Sequence, residues 1–286
     1  MTTSLRRIGV VGGGQMGAGI AEVCARAGLD VMVCETSPDT AEQGRKRIAK
    51  SLDRAVKAGK IDEPERAKAL DAIRFTTSLA DFADRTLVIE AASENEDVKL
   101  GIFTELDRVV TDPEAVLASN TSSIPIMKLG TATRRPEHVV GMHFFNPVPV
   151  QRLVEVIPSL VTSDETTRRV EEFATALLGK TVIRSQDRAG FVVNALLVPY
   201  LLSAVRMLES GFASAEDIDN GMVLGCAHPL GPLRLADLIG LDTLNAIAES
   251  MYAEFKEPLY APPPLLLRMV EAGLIGRKSG RGFHAY

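Results

Sequence analysis

The run Ile8-Gly9-Val10-Val11-Gly12-Gly13-Gly14-Gln15-Met16-Gly17-Ala18-Gly19 places Gly12, Gly14 and Gly17 between an apolar stretch and a stretch of helical spacing. Few folds need glycine at those three positions. Gly12 permits a tight turn, Gly14 lets backbone amides approach a pyrophosphate, and Gly17 lets helix and strand pack closely. The helix N-terminus then faces the negative charge. Glycine clusters also serve as plain turns, so the context decides. The next strand candidate, Val31-Met32-Val33-Cys34, ends at Glu35, at about the 20-residue spacing expected for a carboxylate that holds adenosine ribose hydroxyls. An acid there repels a 2′-phosphate. The expected cofactor is therefore NAD rather than NADP, held by Gly12, Gly13, Gly14, Gln15, Met16, Gly17 and Glu35.

Further strand candidates are Leu87–Glu90, Val116–Ser119, Val139–Phe145, Leu153–Ile157 and Val182–Ile183, with helical spacing between the early ones. Strands alternating with helices predict βαβ units and a mostly parallel sheet covered on both faces. Ser37-Pro38-Asp39 reads as a helix start, with a capping hydroxyl before a proline whose missing N–H costs nothing there. After Asp187 the pattern changes. Phe191–Leu208, Ala215–Leu224, Leu233–Ile239, Thr243–Phe255 and Leu265–Glu271 read as helices, and no strand is predicted beyond Ser185. The expected class is α/β, a Rossmann-type dinucleotide-binding domain over residues 1–187 followed by a smaller all-α domain over 188–286. The apolar load of Phe191–Leu208, interrupted by Pro199, fits a homodimer interface as well as it fits a helix buried in its own domain.

Composition excludes some partners. The 286 residues carry 32 basic and 37 acidic side chains, a net charge of −5, which argues against nucleic acid as a partner. The longest apolar stretch, Phe191–Val205, holds Asn194 and Pro199 and is too short to span a bilayer. Met1-Thr2-Thr3-Ser4 leads into Arg6 and Arg7 without an apolar signal region. Cys24, Cys34 and Cys226 form no metal-ligand pattern and suit a reducing cytoplasm. Cys24 and Cys34 read as small core residues.

Two polar residues stand inside apolar strands. His143 sits in Val139–Phe145, and Glu155 follows twelve positions later inside Leu153–Ile157. A buried carboxylate is costly unless paired or protonated. The link Asn146–Val150 is long enough to bring the two strands side by side, and a His143–Glu155 pair would satisfy both groups. Glu155 would orient the imidazole and stabilise its protonated form. A satisfied core histidine is the alternative. Beside a nicotinamide site, however, alcohol dehydrogenation without a metal needs a base of this kind. No His/Cys cluster offers zinc. Arg45, Lys46, Arg47, Lys50, Arg54, Lys57 and Lys60 form a basic run opposed only by Asp53, and Lys50, Arg54 and Lys57 share one helix face. That face is either a plain solvated surface or a site for an anionic ligand.

Together these segments resemble the short-form 3-hydroxyacyl-CoA dehydrogenase family, in particular its bacterial 3-hydroxybutyryl-CoA branch, over nearly the whole chain. The carriers are Gly12–Gly19, Ala91–Lys99, Ser119–Ser123, Gly141–Pro147, Leu153–Ile157, Gly190–Asn194, His228–Thr243 and Gly276–Phe283. The resemblance implies reversible NAD-linked oxidation of an (S)-3-hydroxyacyl-CoA. His143 would be the base and Glu155 its partner, with Ser122 and Asn194 bonding the substrate oxygen or thioester carbonyl. It further implies NAD contacts at Glu94, Lys99, Ser122, Asn146 and Lys278, and coenzyme A contacts at Ser51, Lys57 and Ser122. Two departures stand out: Asp187-Arg188-Ala189 precedes Gly190 where relatives carry a proline, and Ala195 replaces a common arginine. A dehydrogenase of free hydroxy acids would use a lysine in the helical domain, and none occurs between Thr181 and Glu254. A non-catalytic, crystallin-like NAD-binding protein is the other alternative.

Overall fold

The computed structural model describes residues 5–286, so the leader reading at Met1–Ser4 lies outside the described residues. Two compact units divide at Arg188/Ala189.

The first unit is an eight-stranded sheet of order β3-β2-β1-β4-β5-β6-β7-β8. Its strands are β1 (Arg7–Val11), β2 (Asp30–Cys34), β3 (Ile73–Thr76), β4 (Leu87–Glu90), β5 (Val116–Ser119), β6 (Val139–Phe144), β7 (Leu153–Pro158) and β8 (Thr181–Arg184). Neighbours are parallel except β6 and β7, so β7 and β8 run against the rest. The helices are α1 (Gln15–Arg26), α2 (Pro38–Lys57), α3 (Glu63–Asp71), α4 (Glu96–Val109), α5 (Ile126–Thr131) and α6 (Asp164–Glu172). This is the expected Rossmann-type architecture. Central strands are mainly apolar because both faces are covered: β4, β5 and β6 are buried at every position, their polar residues Glu90, Ser119 and His143 included. The strand not anticipated is β3. It is a short edge strand, Ile-Arg-Phe-Thr, with only Ile73 buried; it carries no β-branched run, and its alternation lasts only four residues.

The start of α2 follows its local chemistry. Ser37 caps it, bonding reciprocally with Thr40, and Pro38 occupies the first turn. Ile8, Val10, Ile20, Cys24, Val31 and Val33 lie in one continuous core between α1 and the sheet. Burial pushes the Cys24 thiol up to about 12 and the Cys34 thiol up to about 11, which leaves both as unreactive core residues.

The second unit is helical: α7 (Val193–Glu209), α8 (Ala215–Cys226), α9 (Pro232–Ile239), α10 (Leu241–Phe255) and α11 (Pro264–Glu271). The chain enters α7 through Phe191 at φ 45°, and the helix continues through Pro199. One face of α7, with Val198, Leu201, Leu202 and Val205, joins the core of its own unit. The opposite face carries Leu196, 74% exposed. Buried Asp237 of α9 accepts from Phe283 N and His284 N at 2.9 Å and from the Tyr286 hydroxyl at 3.1 Å, which pins the C-terminal residues. No helix among the described residues is long and apolar enough to cross a membrane.

Candidate active site

Because β1, β4, β5 and β6 are parallel, their C-terminal residues Val11, Glu90, Ser119 and Phe144 share one edge of the sheet. From β1 the strand order runs outward in both directions, and ligands bind α/β sheets outside such a switch point.

The glycine loop opens at that edge. Gly12 has φ 94°, and a Cβ there would meet Ala91 O at 2.7 Å. A Cβ on Gly17 would stand 1.8 Å from Gly12 O, so strand and helix approach as closely as only glycine allows. A Cβ on Gly14, in contrast, would meet nothing within 4 Å: the space above it is open. The first turn of α1 has no side-chain cap and no acidic residue, which leaves its amides for an anion. The Glu35 carboxylate lies at the loop, accepting from Gly13 N at 2.6 Å and Thr36 N at 3.2 Å. These features fit a dinucleotide, with the pyrophosphate over Gly14 and an acid at the ribose position. Gln15 Nε2 donates to Asn146 Oδ1 at 2.9 Å, tying the loop to the segment after β6. Met16 is half-buried against the core.

Antiparallel pairing of β6 with β7 sets His143 directly opposite Glu155. The Glu155 carboxylate, fully buried, lies 2.7 Å from His143 Nδ1. The other ring nitrogen, Nε2, is 3.0 Å from Ser122 Oγ. The ring is 5% exposed and meets the edge of Phe145 at 4.6 Å between centroids. An ionised Glu155 can only accept, so Nδ1 carries its proton and Nε2 presents a lone pair. Ser122 Oγ–H then donates to Nε2. The three groups form one line, from a buried carboxylate through a ring to a half-buried hydroxyl.

Ser122 is held by Glu94. Glu94 Oε1 accepts from Ser122 N at 2.9 Å, Ser123 N at 3.2 Å, Ser123 Oγ at 3.0 Å and Thr121 Oγ1. Partial burial pushes the Glu94 carboxyl up, but the Lys99 ammonium and these donors outweigh it and hold it below the ordinary value. Lys99, 1% exposed, is no surface residue: its Nζ sits 2.6 Å from Glu90 Oε1 and 3.4 Å from Glu94 Oε2. Glu90 was not anticipated. Its signal was the same as that of Glu155, a carboxylate on an apolar strand. Asn120 was also missed; its Oδ1 accepts from Phe144 N at 2.9 Å beside His143.

The remaining candidates are described within their own units. Ser51 is half-buried and Lys57 exposed on α2, with Lys50 and Arg54 exposed on the same helix. Arg47 is turned to Gly13 O at 3.3 Å and Arg45 lies over the Phe75 ring. In the second unit, Asn194 is buried in the first turn of α7, and Lys278 Nζ binds Asp242 at 2.8 Å. The departure at Ala189 has a local use: its N–H donates to Glu254 Oε2 at 3.0 Å, which a proline could not do. Asp187 accepts from Ile126 N and Met127 N at 2.7 Å each and so holds the start of α5. Among the described residues no group of three or more His, Cys, Asp or Glu side chains could hold a metal ion.

Comparison with known proteins agrees with this fold. Residues 7–188 match the family model described as 3-hydroxyacyl-CoA dehydrogenase, NAD binding domain, and residues 190–286 match the C-terminal domain of the same family. A 3-hydroxybutyryl-CoA dehydrogenase of Mycobacterium tuberculosis is 63% identical over 286 residues, covering all of both chains. A probable 3-hydroxybutyryl-CoA dehydrogenase of Bacillus subtilis is 44% identical over 99% of this chain and 98% of its own. The crystal structure of (S)-3-hydroxybutyryl-CoA dehydrogenase from Ralstonia eutropha superposes with a TM-score of 0.93 at 48% identity, covering 99% of each chain. The chain therefore belongs to the 3-hydroxyacyl-CoA dehydrogenase family of NAD-dependent oxidoreductases, with residues 7–188 as its NAD-binding domain.

Proposed function

We propose that the chain catalyses reversible oxidation of an (S)-3-hydroxyacyl-CoA of short chain, 3-hydroxybutyryl-CoA, to the 3-oxoacyl-CoA. The observation that carries the reading is the Ser122–His143–Glu155 line at the open edge of the dinucleotide domain. The names of the Mycobacterium tuberculosis and Ralstonia eutropha proteins support the substrate and its configuration.

Bound NAD supplies the acceptor for the two electrons of the C3–H bond. His143 Nε2 takes the C3 hydroxyl proton, and the resulting imidazolium is stabilised by the Glu155 carboxylate at Nδ1. Ser122, its hydroxyl already aimed at Nε2, turns to bond the substrate oxygen and fixes the reacting carbon. Asn194 serves the same oxygen or the thioester carbonyl. Glu94, Asn146 and Lys278, which are accessible, contact the cofactor, while enclosed Lys99 supports Glu94. Ser51 and Lys57, with the basic face of α2, hold coenzyme A.

We assign residues 1–187 to the cofactor and 188–286 to substrate binding and homodimer formation, with Leu196 and Leu224, 74% and 83% exposed, as the apolar contacts. Three free cysteines suit a cytoplasmic protein.

NADH consumption measured with acetoacetyl-CoA and with free acetoacetate tests the reading. Preference for the free acid overturns the coenzyme A assignment, and no turnover of any of several CoA esters supports a non-catalytic NAD-binding role instead.

A further inference from the structure

Glu90 closes β4 at the switch point, and the reaction as described makes no use of it. Its side chain is fully enclosed. One oxygen accepts from Lys99 Nζ at 2.6 Å and Ala92 N at 2.7 Å; the other accepts from Ser119 Oγ at 2.6 Å. From these contacts two arms lead to the same turn. In the first, Ser119 Oγ accepts from Thr121 N at 3.2 Å. In the second, Lys99 reaches Glu94, whose Oε1 takes the amides of Ser122 and Ser123. Both arms end on Thr121–Ser123, the turn that places Ser122 Oγ 3.0 Å from His143 Nε2.

We propose that Glu90 is a positioning residue for the reaction, holding Ser122 against His143 through Ser119 on one side and Lys99–Glu94 on the other. An enclosed ammonium cannot be left with one distant partner without cost. Removing the Glu90 charge drives Lys99 toward Glu94, and Glu94 carries the amides of the turn with it. Reacting groups lose rate steeply with displacements well below the length of a bond contact, so a small shift of Ser122 is felt at the chemical step. A merely structural carboxylate would act on stability and on every variant alike.

The inference rests on the proposed role of Ser122 and His143, and a double-mutant cycle separates the two claims. Glu90→Gln keeps shape and an acceptor for Ser119 while removing the charge. Reduction of acetoacetyl-CoA is measured in wild type, Glu90→Gln, Ser122→Ala and the double variant, with activity referred to folded protein. The expected result is a fall in kcat of about tenfold from Glu90→Gln in the wild-type background, and of less than about twofold once Ser122 is already alanine. Equal losses in the two backgrounds overturn the proposal, as does an unchanged kcat in Glu90→Gln. If Glu90→Gln yields no folded protein, Ser119→Ala replaces it in the same cycle, since it cuts one arm and leaves the Glu90–Lys99 pair intact. Additive losses there overturn the proposal equally. A wild type that turns over no CoA ester removes the proposed function and this inference together; active wild type with additive losses removes the inference alone.

Discussion

Replacing Glu155 by glutamine isolates what the carboxylate does for His143. Glu155 is fully enclosed, His143 is 5% exposed, and the Oε2–Nδ1 distance is 2.7 Å. The amide has nearly the same shape, so β7 keeps its register and the change is confined to charge. Two limits bracket the loss. If the amide oxygen still accepts from Nδ1–H, a charge-assisted bond becomes a neutral one, at a cost of about 1.5 kcal/mol or about tenfold in rate. If the whole attraction for the imidazolium is forfeited, unit charges about 4 Å apart at an effective dielectric of about 20 lose about 4 kcal/mol, about a thousandfold. The expected fall in kcat lies between, about a hundredfold, with the KM for NADH moving less than about threefold because the glycine loop is untouched. Steady-state NADH absorbance with acetoacetyl-CoA reads both constants, and a thermal melt checks the fold. A kcat within about threefold of wild type, with an unchanged melting temperature, would refute the claim that Glu155 stabilises the protonated ring.

Three further outcomes follow from the geometry. Gly14→Ala meets no protein atom within 4 Å, so its melting temperature should match wild type. Its NADH dissociation constant, read by fluorescence titration, should rise at least about tenfold, and unchanged affinity contradicts a pyrophosphate over Gly14. Glu94 is held below its ordinary 4.5, so its network contributes stability above that pH, and the contribution disappears as pH falls through the lowered value. Denaturant titrations should therefore show a flatter acid limb in Glu94→Gln than in wild type, and superimposable limbs argue against the network. Asp237→Asn leaves one of three donors facing an amide NH2, at about 1–3 kcal/mol. That lowers the melting temperature by several degrees, whereas a shift below about 1 °C means the C-terminal residues are not pinned there.

The legible parts of this protein were those whose physics is local. The glycine loop was readable because a tight turn, an open approach and a close helix–strand contact each exclude a Cβ. The α2 start was readable because Ser37 and Pro38 cap within one turn. His143 and Glu155 could be found because polar groups inside apolar strands demand partners, and antiparallel pairing of β6 with β7 supplied them. Glu90 carried the same signal but went unread, because an acid at the end of a strand is also compatible with solvent. Lys99 was named only as a cofactor contact that the resemblance implies; that it is enclosed is decided by the fold. The edge strand β3 went unread because the alternation of Ile-Arg-Phe-Thr is only four residues long and has no β-branched run to mark it.

Sequence alone thus determined the class of fold, the dinucleotide loop with its acidic residue at Glu35, and the two strand residues that had to be satisfied. Tertiary structure decided who satisfies whom. The chain order of the sheet brings Glu90, Ser119 and Phe144 to one edge from positions separated by 29 and 25 residues. Only there does Ser122 meet the second nitrogen of His143, and only there do Glu90, Lys99 and Glu94 close around the turn that carries it. A residue's type and its near neighbours set what it needs. Which distant group answers that need depends on strand order and register, and those are properties of the packed sheet.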